Sequence, residues 1–317
     1  TRNSDAGIAL QGGDGMTVRN VTARNNGVGV TLFEVTQVDA RELEVTENQD
    51  DGLQLLQDVT GSTFVGVRAV GNGNNGVYTS DGVSDNRLRD VVATGNGGDG
   101  VGAADSNDNV VDGLVAADNG NAGIHVYGTG DGTFQNVTVR DQPRGVLVSG
   151  SGTATLGGAV VRANDDGIVL AEDGTALTAN GGSVRENGGT GVLVEGSGQL
   201  QLDGTEVTEN GGIGIRINGG QTTLDGIEVA GNGDTGVGVF GGQMSVEGSE
   251  VADNGGTGIF VDGGRTTIVD SDVTDNAQTG VSLVTEATLR NVTIARNGGP
   301  ELASLEAGAT AEDLRIG

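Results

Sequence analysis

The sequence of 317 residues contains no cysteine, no lysine and no tryptophan, and only two prolines. Without cysteine the chain can form neither disulfide bonds nor thiolate metal sites. No apolar run approaches the roughly 18 residues that a membrane-spanning helix needs. Aromatic residues make up 2% of the chain, which is too few for the core of a globular domain of this length. These absences favour a fold that buries small aliphatic side chains.

Glycine is abundant, with 62 residues, and it recurs at a fixed period. The motif Asn-x-x-x-Gly-apolar-x-apolar, as in residues 210–217, repeats from one end of the chain to the other, with its glycines 20 to 25 residues apart. A period this short indicates a solenoid of stacked repeats. We predict a single domain over residues 1–317 with about 13–14 coils of 22–24 residues.

Each repeat contains three short strands separated by turns. In one of them Ile215 and Ile217 alternate with Arg216, and strands around Leu224 and Val229 follow. Such strands are too short to pair within a coil, so we expect them to pair with the next coil and to form three parallel sheets. Crossovers between parallel strands are right-handed. The predicted fold is an all-β, right-handed, single-stranded parallel β-helix.

The ends of the chain are less regular. Residues 300–317 are predicted to form an irregular last coil or a weak cap. The chain begins within a repeat at Thr1. We therefore expect either that a leader has been removed or that the sequence is part of a longer protein.

One asparagine occupies the same position in most repeats, before the tight turn. We expect it to adopt the left-handed conformation and to form a ladder of amide hydrogen bonds with its neighbours. The ladder residues are Asn48, Asn72, Asn96, Asn119, Asn187, Asn210, Asn232, Asn254 and Asn276.

This asparagine ladder resembles that of the pectate-lyase-like β-helix superfamily, and the resemblance of fold motif covers the whole chain. Enzymes of that superfamily resemble one another in the long loops that wall a groove for a uronic-acid polymer. Here almost every turn has two to five residues, and the Asp-Pro-His-Asp motif expected for β-helix epimerases is missing. The resemblance therefore implies the fold more strongly than an activity.

The charge is strongly negative, with 44 acidic residues against 16 basic ones, all arginine, and a net charge of −28. Such a surface repels nucleic acid and anionic membranes, so we predict no nucleic-acid partner and no direct membrane insertion. A dense carboxylate surface without lysine resembles proteins of salt-loving archaea. We predict a halophilic archaeal source, and the alternative is an acidic secreted β-helix without salt adaptation.

The one histidine, His125, lies between Ile124 and Val126, which the alternation directs inward. His125 and Tyr127 should therefore face solvent, and Tyr78 has the same register two coils earlier. One hypothesis is a carbohydrate-contacting strip in which His125 is a candidate acid or base. The alternative is the ordinary surface of a sheet.

Aspartates in the turns of adjacent coils are candidate calcium ligands, because calcium prefers carboxylate and carbonyl oxygens. The candidates are Asp105, Asp108 and Asp131. The sequence lacks both the EF-hand loop and the nonapeptides of calcium-binding β-rolls, so solvated turns are the alternative. No other cofactor is predicted.

Asn20, Asn136 and Asn291 each begin an Asn-Val-Thr sequon for N-glycosylation. All three fall at the predicted corner between the second and third strands. Either they carry glycans on a cell-surface or secreted glycoprotein, or the repeat consensus favours Val-Thr at this corner.

Leu147, Val169 and Leu193 are outward residues of the first strand in three consecutive coils. An exposed apolar strip on an acidic protein is a candidate interface with another subunit or domain. The alternative is a small tolerated patch.

The short, even turns favour a non-catalytic function. We predict a rigid rod of an extracellular surface, adhesion or filament protein, with homo-oligomers or other domains of a longer surface protein as partners. The alternative is a carbohydrate-binding spike or a carbohydrate-active enzyme of the polysaccharide lyase, epimerase or hydrolase type. That protein would act on a polymer laid along coils 1–6.

The charge predicts that stability depends on salt. The thermal unfolding midpoint should fall as the salt concentration drops from about 1 M to about 0.01 M, because the Debye length grows from about 3 Å to about 30 Å and self-repulsion is no longer screened. Circular dichroism in potassium chloride measures this without the stabilisation that kosmotropic salts provide. An unchanged midpoint would contradict the halophilic interpretation.

Overall fold

The computed structural model describes residues 4–303 and 309–317, and their regular structure consists of β-strands. The chain divides into two compact units, Thr1–Val160 and Val161–Gly317. The described residues include no helix long and apolar enough to cross a bilayer. The strands are β1 (Ile8–Asp14), β2 (Thr17–Arg24), β3 (Val30–Thr36), β4 (Asp39–Thr46), β5 (Leu53–Leu56), β6 (Thr63–Val70), β7 (Val77–Ser80), β8 (Arg87–Thr94), β9 (Val101–Ala104), β10 (Asn109–Ala117), β11 (Ala122–Tyr127), β12 (Asp131–Gln135), β13 (Thr138–Arg140), β14 (Arg144–Val148), β15 (Thr153–Gly157), β16 (Val160–Arg162), β17 (Asp166–Leu170), β18 (Ala176–Asn180), β19 (Ser183–Arg185), β20 (Val192–Val194), β21 (Gln199–Asp203), β22 (Glu206–Thr208), β23 (Ile215–Ile217), β24 (Gln221–Asp225), β25 (Glu228–Ala230), β26 (Val237–Val239), β27 (Gln243–Glu247), β28 (Glu250–Ala252), β29 (Ile259–Val261), β30 (Arg265–Val269), β31 (Asp272–Thr274), β32 (Val281–Leu283), β33 (Ala287–Arg290), β34 (Thr293–Ala295), β35 (Leu302–Ala303), β36 (Thr310–Glu312) and β37 (Arg315–Ile316).

Every strand pairs in parallel with its counterpart one repeat away, as the period predicts. In the register of the first sheet, Ile124 lies beside Val101 on one neighbouring strand and beside Val146 on the other. The first sheet contains seven strands in the first unit, ordered β1-β3-β5-β7-β9-β11-β14, and seven in the second, ordered β17-β20-β23-β26-β29-β32-β35. This confirms the predicted parallel β-helix of about fourteen turns.

The second and third predicted strands of a coil are continuous in β2, β4, β6, β8 and β10. The chain turns the corner at one residue with positive φ, as at Asn20 (52°), Gly66 (69°) and Asp90 (53°). From β12 onward the same corner separates two shorter strands. A single residue in the left-handed conformation bends the chain, and the strand segments on both sides of it remain paired with the neighbouring coils.

The core consists of small aliphatic side chains at the inward position of each strand. Ile215, Ile217 and Leu224 are all fully buried within one coil. Burial of each such side chain contributes about 1.5–3 kcal/mol. Because every coil buries its own few side chains, the chain needs few aromatic residues.

The predicted asparagine ladder is present in both units. Asn48 Nδ2 donates to Asn72 Oδ1 at 2.9 Å, and Asn72 Nδ2 donates to Asn96 Oδ1 at 2.9 Å and to the Val45 carbonyl at 3.0 Å. The amide of Gln142 replaces asparagine after Asn119, whose Nδ2 donates to Gln142 Oε1 at 3.0 Å. The nine predicted ladder asparagines are all buried: Asn48, Asn72, Asn96, Asn119, Asn187, Asn210, Asn232, Asn254 and Asn276.

The predicted left-handed conformation of the ladder asparagines is wrong. The residue before each asparagine takes the positive φ instead, such as Glu209 (56°) before Asn210 and Gly231 (65°) before Asn232. The preceding residue makes the turn. The side chain of the buried asparagine then forms hydrogen bonds with the neighbouring coils.

The end of the chain is described only in part. Residues 304–308, within the predicted last coil or cap, lie outside the described residues. On either side of them, β35 pairs with β32 and β37 pairs with β34. The single domain over residues 1–317 stays a prediction.

The ladder predicts a large effect of one buried amide. Asn72→Ala should lower the free energy of unfolding by about 1–3 kcal/mol, because it removes two donors and leaves the Asn48 amide without its acceptor. Denaturant unfolding measures this, and Asn74→Ala is the matched control because Asn74 is exposed in the same turn. Equal effects of the two substitutions would contradict a stabilising ladder.

Candidate functional site

A polar cluster lies on the outward face of the first sheet within the unit Thr1–Val160. Tyr78 on β7 pairs with Gly102 on β9, and Gly102 pairs with His125 on β11. Ile124 and Val126 are fully buried, as the alternation predicts. The side chain of His125 is only 16% exposed, so the histidine is held within the surface and is not freely solvated.

Two residues from neighbouring coils hold the imidazole of His125. Its Nδ1 lies 3.1 Å from Oδ2 of Asp99, and its Nε2 lies 2.9 Å from Oγ of Ser149. Asp99 precedes β9 and is buried, while Ser149 follows β14 and is half-buried. The histidine ring therefore connects a buried carboxylate to the hydroxyl of a half-buried serine.

Asp99 belongs to a column of buried polar side chains, one in each of three consecutive coils. Asp51 Oδ1 accepts the Asn75 backbone N–H at 2.8 Å, Asn75 Oδ1 accepts that of Asp99 at 2.9 Å, and Asp99 Oδ1 accepts that of Ala122 at 3.1 Å. Burial raises the pKa of Asp51, while hydrogen bonds from Gln54 and Asn75 oppose the rise. The second oxygen of each carboxylate in the column forms a hydrogen bond with a side chain. Asp51 Oδ2 accepts from Gln54, and Asp99 Oδ2 pairs with His125.

Tyr127 lies against the histidine, and Tyr78 has the same register two strands away. The ring of Tyr127 lies 4.4 Å from that of His125, centre to centre. Burial is the main cause that raises the pKa of Tyr127, followed by its hydrogen bond with Tyr78 and by the negative charge of Asp99 and Asp51. The cluster thus combines aromatic faces, hydroxyls and a histidine within one surface.

The sequence pointed to His125, Tyr78 and Tyr127, and the structure brings all three together. It missed Asp99 and Ser149. A signal for Asp99 exists, because the residue before the repeat glycine is Asp51, Asn75 or Asp99 in three consecutive coils. Ser149 carries no comparable signal, because it lies in a turn rich in serine and glycine.

Two of the three calcium candidates, Asp105 and Asp131, accept hydrogen bonds from neighbouring coils, and the third, Asp108, donates its backbone N–H to one of them. Asp105 Oδ1 accepts the backbone N–H and the hydroxyl of Thr129, at 2.8 and 3.0 Å. Asp131 Oδ1 accepts the backbone N–H of Asp108 at 2.5 Å. Across residues 4–303 and 309–317, no three acidic or histidine side chains are grouped so that they could hold a metal ion. The structure therefore does not assemble the predicted calcium site.

The sequon asparagines Asn20, Asn136 and Asn291 lie at the corner between strands, and each has a φ of 52°. Asn136 Nδ2 donates to Asp112 at 2.9 Å, and Asn291 Nδ2 donates to Asp270 at 2.7 Å. Their glycosylation stays a prediction.

The prediction that three aliphatic residues form an exposed strip is wrong. Leu147 and Val169 are buried, and Leu193 is half-buried. Leu147 lies in register beside His125, and Val169 lies in register beside Leu193. In-register side chains on the same face of a sheet cover one another, which the alternation of a single strand does not reveal. A role of these residues in an interface stays a prediction.

Comparison with known proteins identifies the fold family. The family model described as "Right handed beta helix region" matches residues 1–113 and 166–311. That is more than half of the chain, so the chain belongs to this family. A search of curated protein sequences gave no match.

Two solved structures of similar fold are named as epimerases. A double mutant of the periplasmic alginate epimerase AlgG is 14% identical, with a TM-score of 0.59 over 91% of this chain and 77% of that one. The A-module of the mannuronan C-5 epimerase AlgE4 from Azotobacter vinelandii is 13% identical, with a TM-score of 0.52 over 97% of this chain and 90% of that one. At this identity the likeness shows the fold alone.

The raised pKa of Tyr127 predicts how this tyrosine titrates. In an ultraviolet titration of phenolate, Tyr127→Phe should remove a component that ionises above the ordinary tyrosine pKa of about 10. Tyr78→Phe should lower the pKa of Tyr127 while leaving it raised, because burial is the larger cause.

The same shift predicts the direction of a stability change. The folded state holds the Tyr127 proton more tightly than the unfolded chain does. The free energy of unfolding should therefore be unaffected below the ordinary tyrosine pKa of about 10 and should fall above it. Thermal unfolding across this range should show a smaller fall for Tyr127→Phe than for the wild type, and an equal fall would contradict the assignment.

Proposed function

We propose that this member of the right-handed β-helix family binds a polysaccharide on the outward face of the first sheet in the unit Thr1–Val160. The observation that carries the proposal is that Tyr78 and Tyr127 share one face with a histidine held by Asp99 and Ser149. Binding sites for small polar ligands combine aromatic surface with a few fixed polar groups. Tyr78 and Tyr127 supply flat faces for sugar rings, and His125 with Ser149 supplies hydrogen bonds for sugar hydroxyls.

The charge selects among polysaccharides. A polyuronate carries a carboxylate on every sugar and would approach a protein of net charge −28, and buried Asp51 and Asp99 lie next to the tyrosines. The carboxylates of such a polymer and those of the protein repel one another when no cation lies between them. We therefore propose a neutral or O-acylated polysaccharide. The proposed ligand therefore differs from mannuronan, which appears in the name of the AlgE4 epimerase. The chain shares only its fold with that enzyme.

The equivalent face of the second unit is different. Its outward residues include Arg216 and Phe260, and the guanidinium of Arg216 lies 4.9 Å from the ring centre of Phe240. Four repeat glycines of this unit are preceded by threonine, at Thr190, Thr235, Thr257 and Thr279, in the position that Asp51, Asn75 and Asp99 occupy in the first unit. The first unit is therefore the better candidate for the polysaccharide site.

The rigid rod remains the second candidate, and the regularity of the second unit favours it. From β20 to β32 its coils repeat three-residue and five-residue strands with little change. Such even coils suit a structural role more than a ligand site. We propose a secreted or cell-surface protein from a salt-rich environment, in which the two roles are compatible.

Binding to a panel of neutral, acetylated and uronic-acid polysaccharides tests the proposal. Tyr78→Ala and Tyr127→Ala should each weaken binding at least about tenfold, which is 1.4 kcal/mol. Phe240→Ala is the matched control, because Phe240 is an exposed aromatic residue in the other unit. Loss of binding in the control alone would move the site to the second unit, and no binding by the wild type would leave the rod as the function.

A further inference from the structure

We infer that Asp99, His125 and Ser149 form a nucleophilic triad that hydrolyses O-acyl esters. The three side chains are connected in the order carboxylate, imidazole, hydroxyl, with separations of 3.1 and 2.9 Å. A serine within hydrogen-bonding reach of a base, with the base oriented by a third group, is the arrangement that activates a hydroxyl nucleophile. The arrangement is recognised by geometry and roles, and it recurs on unrelated folds.

The hydrogen bonds around Asp99 determine the tautomer of the histidine. Asp99 Oδ1 already accepts the Asn121 side-chain amide at 2.8 Å and the Ala122 backbone N–H at 3.1 Å. Its Oδ2 faces Nδ1 of His125, and a carboxylate can only accept, so Nδ1 carries the proton. In the neutral imidazole Nε2 is then unprotonated and accepts the hydroxyl proton of Ser149.

The reaction follows from these positions. Ser149 Oγ attacks the carbonyl carbon of the ester as its proton moves to His125 Nε2, and the ester C–O bond breaks as His125 returns that proton to the leaving sugar hydroxyl. Water then attacks the acyl-Ser149 ester, giving a proton to His125. The proton passes to Ser149 Oγ as the carboxylic acid leaves. One water is consumed, and no oxidant, metal or second substrate is needed.

The surroundings indicate the class of ester. Ser149 is half-buried in an open turn after β14, so a substituent on a long polymer can reach it without entering a deep cavity. An acyl ester group is uncharged, so the acidic surface does not repel it. The polymer that carries the ester rests on the proposed polysaccharide function, whereas the activated serine rests on the triad geometry alone.

Labelling with a fluorophosphonate tests the nucleophile directly. The folded wild-type chain should be phosphonylated at Ser149, located by peptide mass spectrometry, and should hydrolyse p-nitrophenyl acetate. Ser149→Ala should abolish both signals, and Asp99→Asn should slow labelling at least about a hundredfold, because it disturbs the tautomer. Ser151→Ala is the control and should change neither, since Ser151 is an exposed serine in the same turn.

The wild-type measurement decides the question even if a variant fails to fold. Absence of a label at Ser149, or equal labelling of Ser149 and Ser151, would overturn the triad. Release of acetate from an acetylated polysaccharide then separates the two proposals. Labelling of Ser149 without polysaccharide binding would refute the proposed function and support the triad. Polysaccharide binding without labelling would refute the triad and support the proposed function.

Discussion

The structure depends on the repetition of hydrogen bonds from one coil to the next. Each strand pairs with its own counterpart, and each ladder asparagine donates to the side-chain amide of the next coil, as Asn72 does to Asn96 and Asn119 does to Gln142. Buried amides are costly when they lack partners. The buried amides of a coil therefore find their hydrogen-bond partners only when the neighbouring coils are in register. The need for these partners keeps the repeat length nearly constant along the chain.

The inward positions are constrained by this stacking, and the outward positions are free to vary. The same ladder principle then builds the candidate site. Asp51, Asn75 and Asp99 accept backbone N–H groups from successive coils, so they extend the stack of hydrogen bonds onto the outer face. A side chain held in this way can position His125 without a long loop.

The large negative charge contributes little to the geometry of the fold. The ion pairs of Arg24 with Glu47 and of Arg296 with Asp275 join neighbouring coils at the surface, but their side chains are largely exposed. Solvent and salt screen such exposed pairs, so they contribute little to stability. The charge therefore acts at the surface and does not determine the geometry of the coils.

The sequence by itself determined the repeat period, the inward and outward alternation and the buried ladder, because each is a local pattern that recurs in every coil. It also placed His125 and the two tyrosines on one face. Only the tertiary structure decided that Asp99 and Ser149 meet His125, which is 26 residues from one and 24 from the other. Only the tertiary structure showed that Leu147 is covered. Both depend on which side chains of neighbouring coils fall side by side. A shift in turn length of one residue changes that outcome while the local pattern stays the same.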